Sequence, residues 1–392
     1  MKVAEIIPTL LIIGLIVISC AAPKGTPGSL SDIQPGQKPA ATTDEAGLWL
    51  IVEEMELELA TSGRVVTDDG LNAYIRQILC NLVPSHCNDI RFYIVDTPYF
   101  NARMAPNGYM EIWTGLMLRA QNEAQLAYVI GHEIGHYLRR HSLQQMRNVR
   151  NMTDLLMFVR LATSAAGAGY AGDIAALAAM GNIMAFSRDQ EREADDLGFD
   201  FMVQAHYDPR EAAKIWEALI EERNAANAPE YFIFFTTHPP IKERIETLKT
   251  KADQLVAEGK ISFTRQDEYY TAIKPFRANW LRNEFQKSDF EATRVVIDHL
   301  IQGGDNISEL YFYKGEMNRI RSEPGDVDRA IEAYQKADLE GNAPPETYRS
   351  LGLVYLRKGM KDEARKSFEQ YLKVKSNAPD RLIIESYINQ LE

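Results

Sequence analysis

Two histidines four residues apart, with a glutamate beside the first, give this 392-residue chain its clearest chemistry: His132-Glu133-Ile134-Gly135-His136. At ~100° per residue, positions i and i+4 stand on one helical face about one turn apart, so both imidazoles can grip one ion. Imidazole nitrogens suit zinc, whose catalytic sites take three protein ligands and leave a fourth position for water. Glu133 is the natural base for that water. With 7 histidines in the chain, the five-residue pattern is expected by chance on the order of once in a hundred such sequences. The flanks favour a helix. Asn122 followed by Gln125 has the form of a capping box, and Leu126, Val129, Ile130 and Ile134 carry an apolar stripe into the motif.

A third ligand must come from elsewhere. His141 lies beyond both histidines at positions that point ~180° and ~140° away on a continuous helix, so it reads as an exposed residue or a support behind the ligands unless the helix breaks. The segment Ser187-Arg188-Asp189-Gln190-Glu191-Arg192-Glu193-Ala194-Asp195-Asp196 is a better source. Glu191 and Asp195 share a helical face, so one can bind metal while the other accepts the distal N–H of a ligating histidine. Glu193 stands ~200° around from Glu191 and faces away. The plain alternative for this run is a solvated charged helix.

These elements, with Thr237-His238-Pro239-Pro240 followed by Arg244-Ile245, resemble the M48 zinc peptidases. The resemblance extends to Asn101-Ala102, Gly108-Tyr109-Met110-Glu111-Ile112 and Gly115-Leu116, and covers roughly residues 46 to 250. It implies one Zn2+ held by His132, His136 and Glu191, with Glu133 as catalytic base and Asp195 supporting the ligands. It also places His238 close to the metal. There the imidazole has three readings: a gate filling the fourth zinc position, a donor to the oxyanion of the reaction, or a structural residue at a helix entry. Arg103-Met104 departs from the apolar residues usual in the family and leaves substrate preference open at that point.

The N-terminus indicates export. Residues 6 to 18 form an apolar run broken only by Pro8, Thr9 and Gly14, too short for a comfortable membrane span and suited to a signal peptide over residues 1–19. Val17-Ile18-Ser19-Cys20 looks like a bacterial lipobox, which implies cleavage before Cys20 and lipidation of its thiol; Ala21 resembles the outer-membrane sorting pattern of diderm bacteria. Residues 20–45, rich in proline and glycine, read as a flexible tether. The formal net charge of −12 argues against nucleic acid, and the membrane is reached through the lipid anchor only. Cys80 and Cys87 flank a proline-containing turn, so a local disulfide is expected in an oxidising compartment; a Cys/His zinc knuckle using His86 is the rival and lacks a fourth ligand.

The expected architecture is α+β. It comprises a mostly helical, gluzincin-type metalloprotease domain with a small β-sheet over residues 46–265, then an all-α tetratricopeptide-like repeat domain over 266–392. Leu71, Tyr74, Ile75, Ile78, Leu79 and Leu82 mark an amphipathic helix, and residues 90–95 and 108–113 read as strands with a turn at Asn107-Gly108. The strand just before the metal helix could pair with an extended substrate. Residues 151–186, rich in Ala, Met and Gly, read as a buried helical hairpin, or as a lid or membrane-touching segment. In the last third, Gly352, Ala364, Phe368 and Tyr371 follow repeat spacing; Gly315, Ala330, Tyr334 and Ala337 repeat it, and Trp280, Ala292, Val296 and His299 form a degenerate copy.

The expected function is a zinc endopeptidase of the periplasmic face of the outer membrane. It would cleave misfolded or unassembled proteins, and its repeats would recruit substrates or the outer-membrane assembly machinery. The competing reading is an assembly chaperone or scaffold whose protease is largely latent.

Overall fold

The computed structural model describes residues 30–148, 185–227, 234–239, 242–259 and 262–391. The signal peptide, Cys20, nearly all of the 151–186 segment and Pro240 lie outside the described residues.

The protein is α+β and mostly helical. Helix α1 (Asp44–Thr61) starts at Thr43, whose side chain accepts the Ala46 N–H, and α2 (Asp69–Leu82) starts at Asp68, whose carboxylate accepts the Leu71 N–H. Leu71, Ile75, Ile78, Leu79 and Leu82 form the buried face of α2. Three short strands follow: β1 (Arg91–Val95), β2 (Ala102–Met104) and β3 (Tyr109–Trp113), in the sheet order β1-β3-β2. β3 runs parallel to β1, with Arg91 opposite Tyr109, and antiparallel to β2, with Ala102 opposite Ile112. The β2–β3 turn uses Gly108 at φ +84, where an added Cβ would lie 2.5 Å from the Asp89 carbonyl oxygen.

This topology corrects the expected substrate strand. β3, the strand preceding the metal helix, is central and wholly buried, so both its edges are already paired. The edges belong to β1 and to β2, the latter a three-residue strand too short to leave an alternating pattern in the sequence.

Next come α3 (Thr114–Arg119), α4 (Glu123–Leu138), α5 (His141–Asn148), α6 (Arg188–Gln204), α7 (Glu211–Ala225), the one-turn α8 (Phe234–Thr237) and α9 (Lys242–Ala257). The expected tether is shorter than its composition implied. Ile33 is buried and its N–H donates to the Leu138 carbonyl at 3.0 Å, Gly36 N–H donates to Asp89 at 2.9 Å, and Asp32 pairs with Arg139 at 3.0 Å. One apolar residue among prolines suffices to dock the segment because its backbone finds partners there.

The C-terminal helices are α10 (Gln266–Phe285), α11 (Phe290–Gly303), α12 (Ile307–Arg321), α13 (Asp326–Leu339), α14 (Glu346–Lys358), α15 (Lys361–Val374) and α16 (Arg381–Gln390). Asp32–Glu392 forms one compact unit, and α10 shares the core of the preceding part. Tyr269 donates to the Met117 carbonyl, and Arg119 on α3 reaches Glu222 on α7 at 2.7 Å and Glu284 on α10 at 2.8 Å, all of them buried. Further on, the spaced small and aromatic residues meet across helix pairs. A Cβ on Gly315 would lie 2.4 Å from the Tyr334 ring, and one on Gly352 2.4 Å from the Phe368 ring.

These contacts set the sign of a substitution. Alanine in a helix interior gains about 1 kcal/mol over glycine, but overpacking costs about 1–3 kcal/mol. Gly315→Ala should therefore lower the urea midpoint, whereas Gly47→Ala on α1, where nothing lies within 4 Å of the new Cβ, should raise it. Equal stabilisation by both would contradict the tight α12–α13 contact.

Candidate metal centre

α4 is buried along its whole length and begins at Asn122, whose Oδ1 accepts the Gln125 N–H at 3.0 Å. The return half of the expected capping box is displaced by one residue, because Gln125 Oε1 accepts the Gln121 N–H at 2.8 Å. Both amides also donate to Glu211 at the start of α7, at 2.8 and 2.7 Å, which ties the helix start to its neighbour.

α6 packs on α4 through residues with little or no side chain. A Cβ on Gly198 would stand 2.7 Å from the His132 backbone nitrogen, and one on Gly135 would stand 3.1 Å from Ala194 Cα. This close approach brings Glu191, two turns before Gly198 on the same face, against the two α4 histidines. His132 Nε2 lies 3.2 Å from His136 Nε2 and 3.8 Å from Glu191 Oε2, and His136 Nε2 lies 3.6 Å from Glu191 Oε1. His238, following α8, adds a fourth donor: its Nδ1 is 3.0 Å from Glu191 Oε1 and 3.3 Å from His132 Nε2. The four donor atoms lie within 4.8 Å of one another, and all four residues are buried.

Behind them stands a polar support. Asp195 Oδ1 is 3.1 Å from His132 Nδ1 and accepts the Tyr128 hydroxyl at 2.8 Å, and Trp216 Nε1 donates to that hydroxyl at 3.3 Å. Arg244 on α9 donates to Asp195 at 2.5 and 2.7 Å, reaches Glu191 Oε2 at 2.5 Å and donates to the Pro239 carbonyl at 3.1 Å. Burial works against charge on Asp195, but Arg244 and His132 outweigh it and hold the carboxyl well below its usual range. Burial also opposes charge on Glu191, where His238 and Arg244 prevail and lower the pKa. For Glu133, burial prevails over His238 and His132 and raises the pKa. The Met104 backbone N–H on β2 favours its charged form, and its Oε1 faces His238 Nε2 at 3.5 Å.

The residues fit a divalent cation. Glu133, Glu191 and Asp195 are buried carboxylates matched by one buried guanidinium, Arg244. That leaves an excess of negative charge in a low-dielectric setting, which against burial also raises the pKa of His238 through Glu191 and Glu133. Facing imidazole nitrogens and a carboxylate are also the donor set that zinc accepts.

Of the residues singled out in the sequence, His132, Glu133, His136, Glu191, Asp195 and His238 come together here. Glu193 is directed outward with its side chain 57% exposed. His141 is not exposed. α4 ends at Leu138, Arg140 takes φ 58, and the chain turns back so that His141 is fully buried with its Nδ1 2.9 Å from His136 Nδ1. The helix therefore breaks just before His141, and the break is made by an arginine in the left-handed region rather than by a glycine or proline. Arg244 falls within the family motif, yet only the structure gives it a partner. The ring walls were also hidden: Phe186 stacks on His136 at 3.9 Å, and Phe234 stacks on His238 at 4.4 Å. Elsewhere, Cys80 and Cys87 are bonded, with Cα atoms 4.8 Å apart.

Comparison with known proteins places this geometry in a class. Residues 68–252, a little under half the chain, match peptidase family M48 and form an M48 metallopeptidase domain. The chain is 31% identical over 202 residues to a putative beta-barrel assembly-enhancing protease of Vibrio cholerae, covering 48% of this chain and 41% of that protein. It is 26% identical over 233 residues to the beta-barrel assembly-enhancing protease of Escherichia coli K12, covering 55% and 47%. It is 26% identical over 201 residues to the mitochondrial metalloendopeptidase OMA1 of Schizosaccharomyces pombe, covering 50% and 56%. The alignments thus span about half the length of these relatives.

The buried Arg244 network should dominate the stability of the metal-free protein. Arg244→Met leaves Asp195 and Glu191 without their cation and should cost about 3–5 kcal/mol in urea unfolding. Arg192→Met, which removes an exposed pair with Glu243, should leave the midpoint nearly unchanged. Comparable effects of the two substitutions would show that the buried network does not carry this weight.

Proposed function

We propose that the chain is a zinc endopeptidase acting on misfolded or unassembled proteins at the periplasmic face of the outer membrane. The observation that carries the catalytic part is the convergence of His132, His136 and Glu191 with Glu133 buried beside them. Zinc held by these three residues would supply a Lewis acid that polarises the scissile carbonyl and activates water. Glu133 takes the proton of the attacking water and delivers it to the leaving amine. The Met104 N–H of the edge strand β2 favours the charged form of that carboxylate. Asp195 and Tyr128 hold the His132 ring from behind.

The cellular setting rests on several supports. Two relatives are named as beta-barrel assembly-enhancing proteases, the N-terminal Cys20 follows a lipobox pattern, and Cys80–Cys87 suits an oxidising compartment. No helix among the described residues is long and apolar enough to cross a membrane. The helix pairs from α10 onward would form a tetratricopeptide-like surface that recruits substrates or assembly partners.

His238 is the residue through which activity would be restrained. Its Nδ1 lies among the donor atoms, and its ring is clamped by Phe234, which supports a resting state in which the imidazole fills the fourth position. The same observation favours the second reading, a scaffold or assembly chaperone whose protease is largely latent.

The tests separate these roles. Glu133→Gln should retain one zinc per chain and lose hydrolysis of an unfolded substrate, because an amide cannot act as the base. Glu191→Gln should lose far more metal than Glu193→Gln, and equal zinc content in the two would remove the ligand assignment. His238→Ala should raise cleavage of the unfolded substrate if the imidazole is a gate. A collapse in kcat with zinc retained would assign it to oxyanion stabilisation, and unchanged kinetics would leave it a structural role. Crosslinking in cells that traps proteins on Glu133→Gln but not on wild type would support proteolysis over scaffolding.

A further inference from the structure

We infer that His141 is a positioning residue that fixes the tautomer and rotation of the ligand His136, with Glu193 as its outer anchor. This inference rests on the metal centre proposed above. It begins from two ring nitrogens, His136 Nδ1 and His141 Nδ1, that face each other at 2.9 Å in a fully buried site. One of them must donate and the other must accept.

The choice follows from the rest of the geometry. His136 Nε2 points into the donor cluster, 3.2 Å from His132 Nε2 and 3.6 Å from Glu191 Oε1. To offer a lone pair there, the ring must carry its proton on Nδ1. His136 Nδ1–H therefore donates to the lone pair of His141 Nδ1. His141 then holds its own proton on Nε2, and that nitrogen lies 3.2 Å from Glu193 Oε2, a carboxylate that accepts. One orientation of protons satisfies the whole chain from Glu193 through His141 to His136.

The backbone is built for this contact. Arg140 adopts φ 58, a conformation that costs a non-glycine residue free energy. The turn it makes carries the first residue of α5 back under the last turn of α4. Phe186 stacks on the His136 ring at 3.9 Å with an interplanar angle of 21°. The stacking limits tilt of the ring, and the hydrogen bond to His141 limits its rotation in plane. The outward direction of Glu193, which removes it from the metal, is what lets it close this relay.

Zinc affinity, measured by competition between the full-length protein and a chromophoric chelator, tests the role. His141→Phe keeps an aromatic ring but removes the acceptor and should weaken zinc binding by about 10–100-fold. His141→Asn places an amide oxygen near the position of Nδ1 and should recover most of that affinity. Urea unfolding of the metal-free variants separates positioning from folding, because a purely structural role would move stability and leave zinc affinity, once corrected for folded fraction, at the wild-type value. In zinc-loaded wild type with 15N-labelled histidine, ring resonances should show His136 protonated at Nδ1 and His141 at Nε2, a readout that needs no variant to fold. Zinc binding by His141→Phe as tight as wild type, or a His141 ring protonated at Nδ1, would overturn the inference. A wild-type chain that binds no zinc would instead overturn the metal centre on which it rests.

Discussion

The separation of α4 and α6 is the constraint on which the rest of the site depends. Glutamate has a short reach, so Glu191 meets the two α4 histidines only because the two backbones nearly touch at Gly131, Gly135, Ala194 and Gly198. Helices that pack through ordinary side chains stand farther apart, and a carboxylate from such a helix would fall short of the imidazoles. Glycine normally weakens a helix. Here the loss is offset by burial of α4 along its whole length, which lets a weak helix former persist where contact demands it.

Close packing creates an electrostatic problem that the surrounding residues answer in layers. Three carboxylates buried at one point would each be driven toward protonation without compensation. Arg244 answers for two of them at once, bridging Asp195 and Glu191, and it also binds the Pro239 carbonyl of the His238 segment. One guanidinium thus links helix α6, which carries Glu191, the support behind His132 and the segment carrying His238. Its planar fork suits this bridging in a way that a lysine ammonium would not.

Local pattern made part of this arrangement legible. The two histidines and Glu133 share one helix, so their geometry follows from the helical period, and the apolar faces of α2 and α4 follow from the same rule. Glu191 and Asp195 could be placed on one face but told apart only through the family resemblance. Features that depend on distant packing left little local trace. Trp216 and Phe234 close around the histidines from separate elements, β2 is too short to show alternation, and Ile33 docks from a segment whose composition reads as a tether. His141 takes the supporting place rather than the exposed one for a specific reason. Arg140 enters the left-handed region without a glycine, proline or asparagine to announce it, so the sequence leaves the exposed and supporting places of His141 undecided.

The same packing couples the place of His238 to the bracing of the two α4 histidines. Phe186 stacks on His136, and its N–H donates to the Thr237 carbonyl, the residue before His238, at 3.0 Å. Phe234, at the start of the same short helix, stacks on His238 and also lies 6.5 Å from the His132 ring, tilted against it. A displacement of His238 away from the donor cluster that carried its backbone along would therefore pull on the residues that brace both α4 histidines. A swing of the His238 side chain alone would leave those braces in place and break its own contacts with Glu191, His132, Glu133 and Phe234. Side-chain rotation is the less costly way for His238 to leave the donor cluster. The fixed φ of Pro239 restrains the backbone there and favours that route.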